Sequence, residues 1–100
     1  MNRTLFFGPF AKAEFAGAIA WYERQRPGLG EEFAQEVYRA LERANAQPEM
    51  FRKVRGRART LRLKRFKAYS IYFAIKDDVF SVMSIFHGSR NPAELDRRLQ

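Results

Sequence analysis

The chain has 100 residues, 46% of them hydrophobic, with ten Phe, one His and no Cys, and its formal net charge is +8. That length and composition fit one compact domain and leave no room for a second. Without Cys there is no disulfide framework or thiolate metal site, and a lone His needs several carboxylates beside it to build a transition-metal centre, so no metal or other cofactor is expected. No stretch has the length and apolarity of a secretory leader or a membrane span, which points to a cytoplasmic protein with no membrane partner.

The charge is unevenly placed. Residues 1–49 carry six Lys or Arg against seven Asp or Glu, whereas residues 50–100 carry thirteen against four. Between Met50 and Lys76 there is no acidic residue, and Arg52, Lys53, Arg55, Arg57, Arg59, Arg62, Lys64, Arg65, Lys67 and Lys76 all fall there. Such a block suits a polyanion or an acidic partner segment, the plainer reading being a solvated face.

Thr4 to Phe7 is β-prone and stops at Gly8-Pro9, where Pro fits the first turn of a helix. Ala11, Phe15, Ala18, Ile19 and Tyr22 then recur at the spacing of one helix face. Pro27-Gly28-Leu29-Gly30 breaks this helix. A second follows, with Glu31 and Glu32 at its positive N-terminal end and a stripe of Phe33, Val37, Ala40, Leu41 and Ala44. The two helices are expected to form an antiparallel hairpin over a sheet.

Pro48 ends the second helix, and Phe51 with Val54 suggests a short extended piece. Arg57 to Phe66 alternates, with Leu61 and Leu63 on one face and Arg62 and Lys64 on the other, so it reads as a strand with a wet basic face. Lys67-Ala68 turns the chain into a strand from Tyr69 to Ile75, on which Tyr69 and Tyr72 face opposite ways. Lys76-Asp77-Asp78 leads into Val79 to Phe86, which reads as a strand buried on both faces. The fold class is therefore α+β, in the order β-α-α-β-β-β. A four-stranded sheet with an antiparallel meander carries the helical hairpin on one face and leaves the other face concave, basic and open. One or two helical turns are possible after Pro92.

The last strand empties into His87-Gly88-Ser89-Arg90-Asn91-Pro92, where an imidazole and a cation could make a site. The bland reading is a strand cap and a turn.

Trp21-Tyr22 late in the first helix, Pro27-Gly28-Leu29-Gly30, the Pro48 and Phe51 region, Val54 to Arg59, Tyr69 to Phe73 and His87 to Pro92, in this order over nearly the whole chain, resemble the RelE/ParE superfamily of toxins from type II toxin-antitoxin systems. The resemblance implies a cognate antitoxin partner, a hetero-oligomer with it, and one of two targets. ParE-like members inhibit DNA gyrase and do no chemistry. RelE-like members are metal-free endoribonucleases that cleave mRNA on the ribosome, and for these the matching positions are Arg90 for the phosphate, with His87 and Arg62 or Lys64 beside it. Many such nucleases carry a Tyr or His near the C-terminus, and nothing after Arg90 here can play that part, which favours the ParE-like reading. Arg55, Arg57, Arg59, Arg62, Lys64 and Arg65 are candidates to hold nucleic acid or the antitoxin. A third reading is a basic nucleic-acid-binding module without toxicity.

Overall fold

The computed structural model describes residues 3–100. Strand β1 (Thr4–Phe7) leads into helix α1 (Pro9–Gln25) and helix α2 (Leu29–Ala46); a single 3-10 turn (Pro48–Met50) then opens a run of four strands, β2 (Arg52–Arg55), β3 (Ala58–Arg62), β4 (Tyr69–Lys76) and β5 (Val79–His87), and helix α3 (Pro92–Arg98) follows. The sheet has five strands in the order β1-β5-β4-β3-β2. All neighbours are antiparallel except β1, which runs parallel to β5 with Thr4 opposite Val79 and Phe7 opposite Val82.

The hairpin forms as its periodicity dictates. Phe33, Val37, Ala40, Leu41 and Ala44 of α2 are all buried, and Ala11 and Ala18 of α1 join them against Leu61, Ile71, Phe73, Phe80, Val82 and Ile85 of the sheet. Rings fill the layer between helices and sheet: Phe33 lies 5.1 Å from Tyr22, Phe66 and Tyr69, and Phe73 stacks on Phe80 at 4.8 Å. The bend between the helices is held by Glu23, whose carboxylate accepts from the backbone N–H groups of Gly28 and Gly30, donors that the start of a helix leaves unpaired. Gly28 has φ +90°, and a Cβ on Gly30 would lie 2.6 Å from the Ile19 carbonyl oxygen. Helix α1 can approach α2 this closely only because residue 30 has no side chain.

Four expectations change. The extended piece at Phe51 and Val54 is a full edge strand, β2, so the sheet has five strands and not four. Its three cations at Arg52, Lys53 and Arg55 hide it from a hydrophobic pattern, and charge of this kind is what keeps an edge from pairing with another chain. The basic strand ends at Arg62, because residues 63–68 turn away to reach β4; Leu61 and Leu63 are still buried and Arg62 and Lys64 exposed. Strand β5 is not buried throughout: Val79 is 38% exposed, and continuous burial begins at Ser84. Finally, the face away from the hairpin is open only in part. Helix α3 packs on β5, with Arg98 over the outward ring of Phe86, and Asp96 extends to Arg55 on β2. Asn91 caps α3 by accepting from the Ala93 N–H, and Pro92 takes its first turn.

Among the described residues no helix is long and apolar enough to cross a membrane.

Candidate functional site

Strand β1 accompanies β5 only as far as Val82, where the Gly8 N–H donates to the Val82 carbonyl and α1 begins. The β5 edge beyond Val82 therefore faces the side of α1. Glu14, on the second turn of α1, meets it there. Its Oε1 accepts from the Ile85 N–H at 2.9 Å and from the Ser84 hydroxyl at 2.8 Å; its Oε2 accepts from Arg98 Nε at 2.9 Å and Arg90 Nη1 at 3.3 Å. Four donors on two oxygens use the full capacity of the carboxylate, which is why a charge with a 7% exposed side chain is tolerated in this position.

The two arginines are tied down further. Arg98 Nη1 donates to the Glu94 carbonyl, and its guanidinium lies 4.5 Å from the Phe10 ring. Arg90 Nη2 donates to Glu94 Oε2 at 2.9 Å, and its guanidinium lies 5.7 Å from the Phe86 ring. The hydrogen bond from Arg90 holds the Glu94 carboxyl below its usual range.

Next to this cluster a groove of about 840 Å³ runs between α1 and the β5 edge. Phe10, Ala13, Gly17 and Trp21 recur along α1 as one wall; Tyr69, Ile85 and His87 form the floor and far end. Trp21 is 49% exposed and Phe10 46%, and a Cβ on Gly17 would meet nothing within 4 Å. Tyr69 packs deeper, and burial raises its pKa. His87 stands edge-on to Tyr69 at 5.0 Å, and its Nδ1 accepts from the Ser89 N–H, which places the proton of the neutral ring on Nε2.

The residues singled out by sequence separate into several places. Arg90 and His87 both border the groove, but the register sets Arg62 opposite Ser70 and Ser70 opposite Phe86, so Arg62 shares a face with Phe86 and His87 points to the other one. Lys64 lies in the connection after β3 and is exposed. Arg65, in the same connection, pairs with Glu32 of α2 at 2.6 Å, and its backbone N–H donates to Glu36. Arg55 meets Asp96 at 3.6 Å, Arg59 donates to the Phe51 carbonyl, and Arg57 is exposed at the β2–β3 turn. These six candidate cations therefore do not form one surface.

Sequence reasoning missed Glu14 and Arg98, which organise the site. Neither belongs to a motif, and 84 positions separate them. The only signal is a lone acidic residue in an otherwise apolar first half of α1, after Lys12. Among the described residues no three His, Asp or Glu side chains gather where they could share a metal ion.

No curated protein matches the chain by sequence. A solved chain from the chromosomal ParDE TA system of P. aeruginosa superposes with a TM-score of 0.71 at 17% identity, covering 86% of this chain and 96% of that one, a likeness of fold. The family model for the ParE toxin of the type II toxin-antitoxin system parDE matches residues 5–92, from the first strand through the β5 edge and groove to the start of α3. The chain belongs to the ParE toxin family and is the toxin component of a type II toxin-antitoxin system.

Proposed function

We propose that this toxin acts in the cytoplasm by inhibiting DNA gyrase through binding, with no bond-making chemistry of its own, and that a segment of its antitoxin occupies the groove between α1 and the β5 edge. The observation that carries the first part is the commitment of Arg90. A phosphate-stabilising arginine must bring uncompensated positive charge to the reacting group, whereas the Arg90 guanidinium is charge-paired with two carboxylates, Glu14 and Glu94. A general acid or base must lie within reach of the same phosphate, and His87 and Arg62 project from opposite faces of the sheet. The second part rests on the exposed Phe10 and Trp21 rings beside a strand edge, a surface suited to an extended or amphipathic partner segment.

Pulse labelling after induction of the toxin alone tests the target. DNA synthesis is expected to stop first while translation continues. Early arrest of protein synthesis would transfer the toxin to the mRNA-cleaving class, and unchanged growth would leave a non-toxic nucleic-acid-binding module.

A further inference from the structure

A second cavity, of about 290 Å³, opens on the hairpin side of the sheet, far from Glu14, where the 3-10 turn, the β2–β3 turn and the end of β4 meet. Four cations border it, Arg3, Lys53, Arg57 and Arg59, against one carboxylate, Glu49. Among the described residues none of the four has a carboxylate within ion-pair distance.

Two of these cations are oriented in advance. Arg59 Nη1 donates to the Phe51 carbonyl at 2.8 Å, and Arg3 Nη1 donates to the carbonyl and the side-chain oxygen of Asn45 at 2.7 and 2.8 Å. Each guanidinium carries five N–H donors, so each keeps most of its fork for a ligand. Lys53 stands opposite Arg59 across the β2–β3 ladder, an arrangement of like charges that disfavours folding unless an anion screens it. Arg57 completes the rim from the turn, where Gly56 has φ +52°.

We propose that this cavity is a binding site for a phosphate group, carried either by a free nucleotide or by a nucleic-acid backbone. Planar guanidinium forks match phosphate oxygens two at a time, and ammonium adds a point charge. The size favours one phosphate-bearing group over a folded protein segment. The site shares no residue with the groove given to the antitoxin, and it stands whichever target the toxin has.

The test titrates the full-length, isotope-labelled toxin with pyrophosphate, with ATP and with a short DNA duplex, following backbone amide shifts. Pyrophosphate is expected to give saturable shifts confined to Arg3 and to residues 48–59 and 73–75. The exposed pair Lys53→Gln and Arg57→Gln should weaken its binding by about tenfold or more, while Arg39→Gln on α2, outside the cavity, should leave it unchanged. Far-UV circular dichroism confirms that both variants fold. If ATP competes with pyrophosphate and the duplex shifts other residues, the ligand is a free nucleotide; if the duplex competes at the same amides, it is the backbone phosphate. Non-saturating shifts spread over all basic residues, or full binding by the double variant, would overturn the site.

Discussion

Glu14 Oε2 and Arg98 Nε lie 2.9 Å apart with both side chains 7% exposed, a buried ion pair between the second turn of α1 and the last turn of α3. It fastens α3 to the edge that β1 leaves uncovered. Removing Arg98 leaves the buried Glu14 charge with Arg90 as its remaining cation, at 3.3 Å, and breaking a buried pair costs up to about 3–5 kcal/mol. Arg98→Met should therefore lower unfolding free energy by that order in urea titrations. Arg90→Ala, whose side chain is 38% exposed, should lower it less. Equal effects would show that Arg98 is not the anchor.

Two glycines should respond oppositely to the same change. Gly30→Ala drives a methyl into the Ile19 carbonyl and the Glu23 side chain, and overpacking of this kind costs about 1–3 kcal/mol. Gly17→Ala adds a methyl into open space in a helix interior and should stabilise by about 0.5–1 kcal/mol. Thermal unfolding of the two variants checks the contrast, since 1 kcal/mol shifts Tm by roughly 4–8 °C in a domain of this size.

The contact between α2 and the loop after β3 should titrate. Hydrogen bonds from Arg65 and then Arg26 hold the Glu32 carboxyl below its ordinary value of 4.5. A carboxyl with a depressed folded value contributes stability that is present above 4.5 and is lost as pH falls through the lowered value. Glu32→Gln should accordingly melt below the native protein near neutral pH, and the gap should close once the pH drops below that lowered value. A gap that persists at the acid end would assign it to packing.

Trp21 should be an anchor for the antitoxin. Exposed aromatic rings that become buried in a complex commonly contribute 2 kcal/mol or more, so Trp21→Ala should weaken antitoxin binding by about thirtyfold in calorimetric titrations. Arg39→Ala, outside the groove, should not. If both variants bind as the native toxin does, the groove is not the docking surface.

Much of the frame is legible residue by residue. Phe33, Val37, Ala40, Leu41 and Ala44 announce α2 because one apolar face at helical spacing has a single way to be buried, and all five are. Leu61 and Leu63 place Arg62 and Lys64 on the exposed side in the same way. Strand β2 is harder to read, since three of its four residues are cations and its pairing with β3 is set by the turn at Gly56. The site is harder still. His87 and Arg90 border the groove, yet Glu14, which binds Arg90, is recognised only once β1 is seen to stop at Val82. That boundary depends on Gly8-Pro9 starting a helix beside a strand that lies 70 residues away in the chain, and local pattern carries no information about it.

The most direct measurement is supercoiling of relaxed plasmid by purified gyrase in the presence of purified toxin, with and without the antitoxin. A gyrase inhibitor that acts by binding blocks supercoiling at a toxin excess, and stoichiometric antitoxin restores it. Supercoiling that proceeds unaffected at the same excess, by toxin that arrests growth in cells, would contradict the gyrase target.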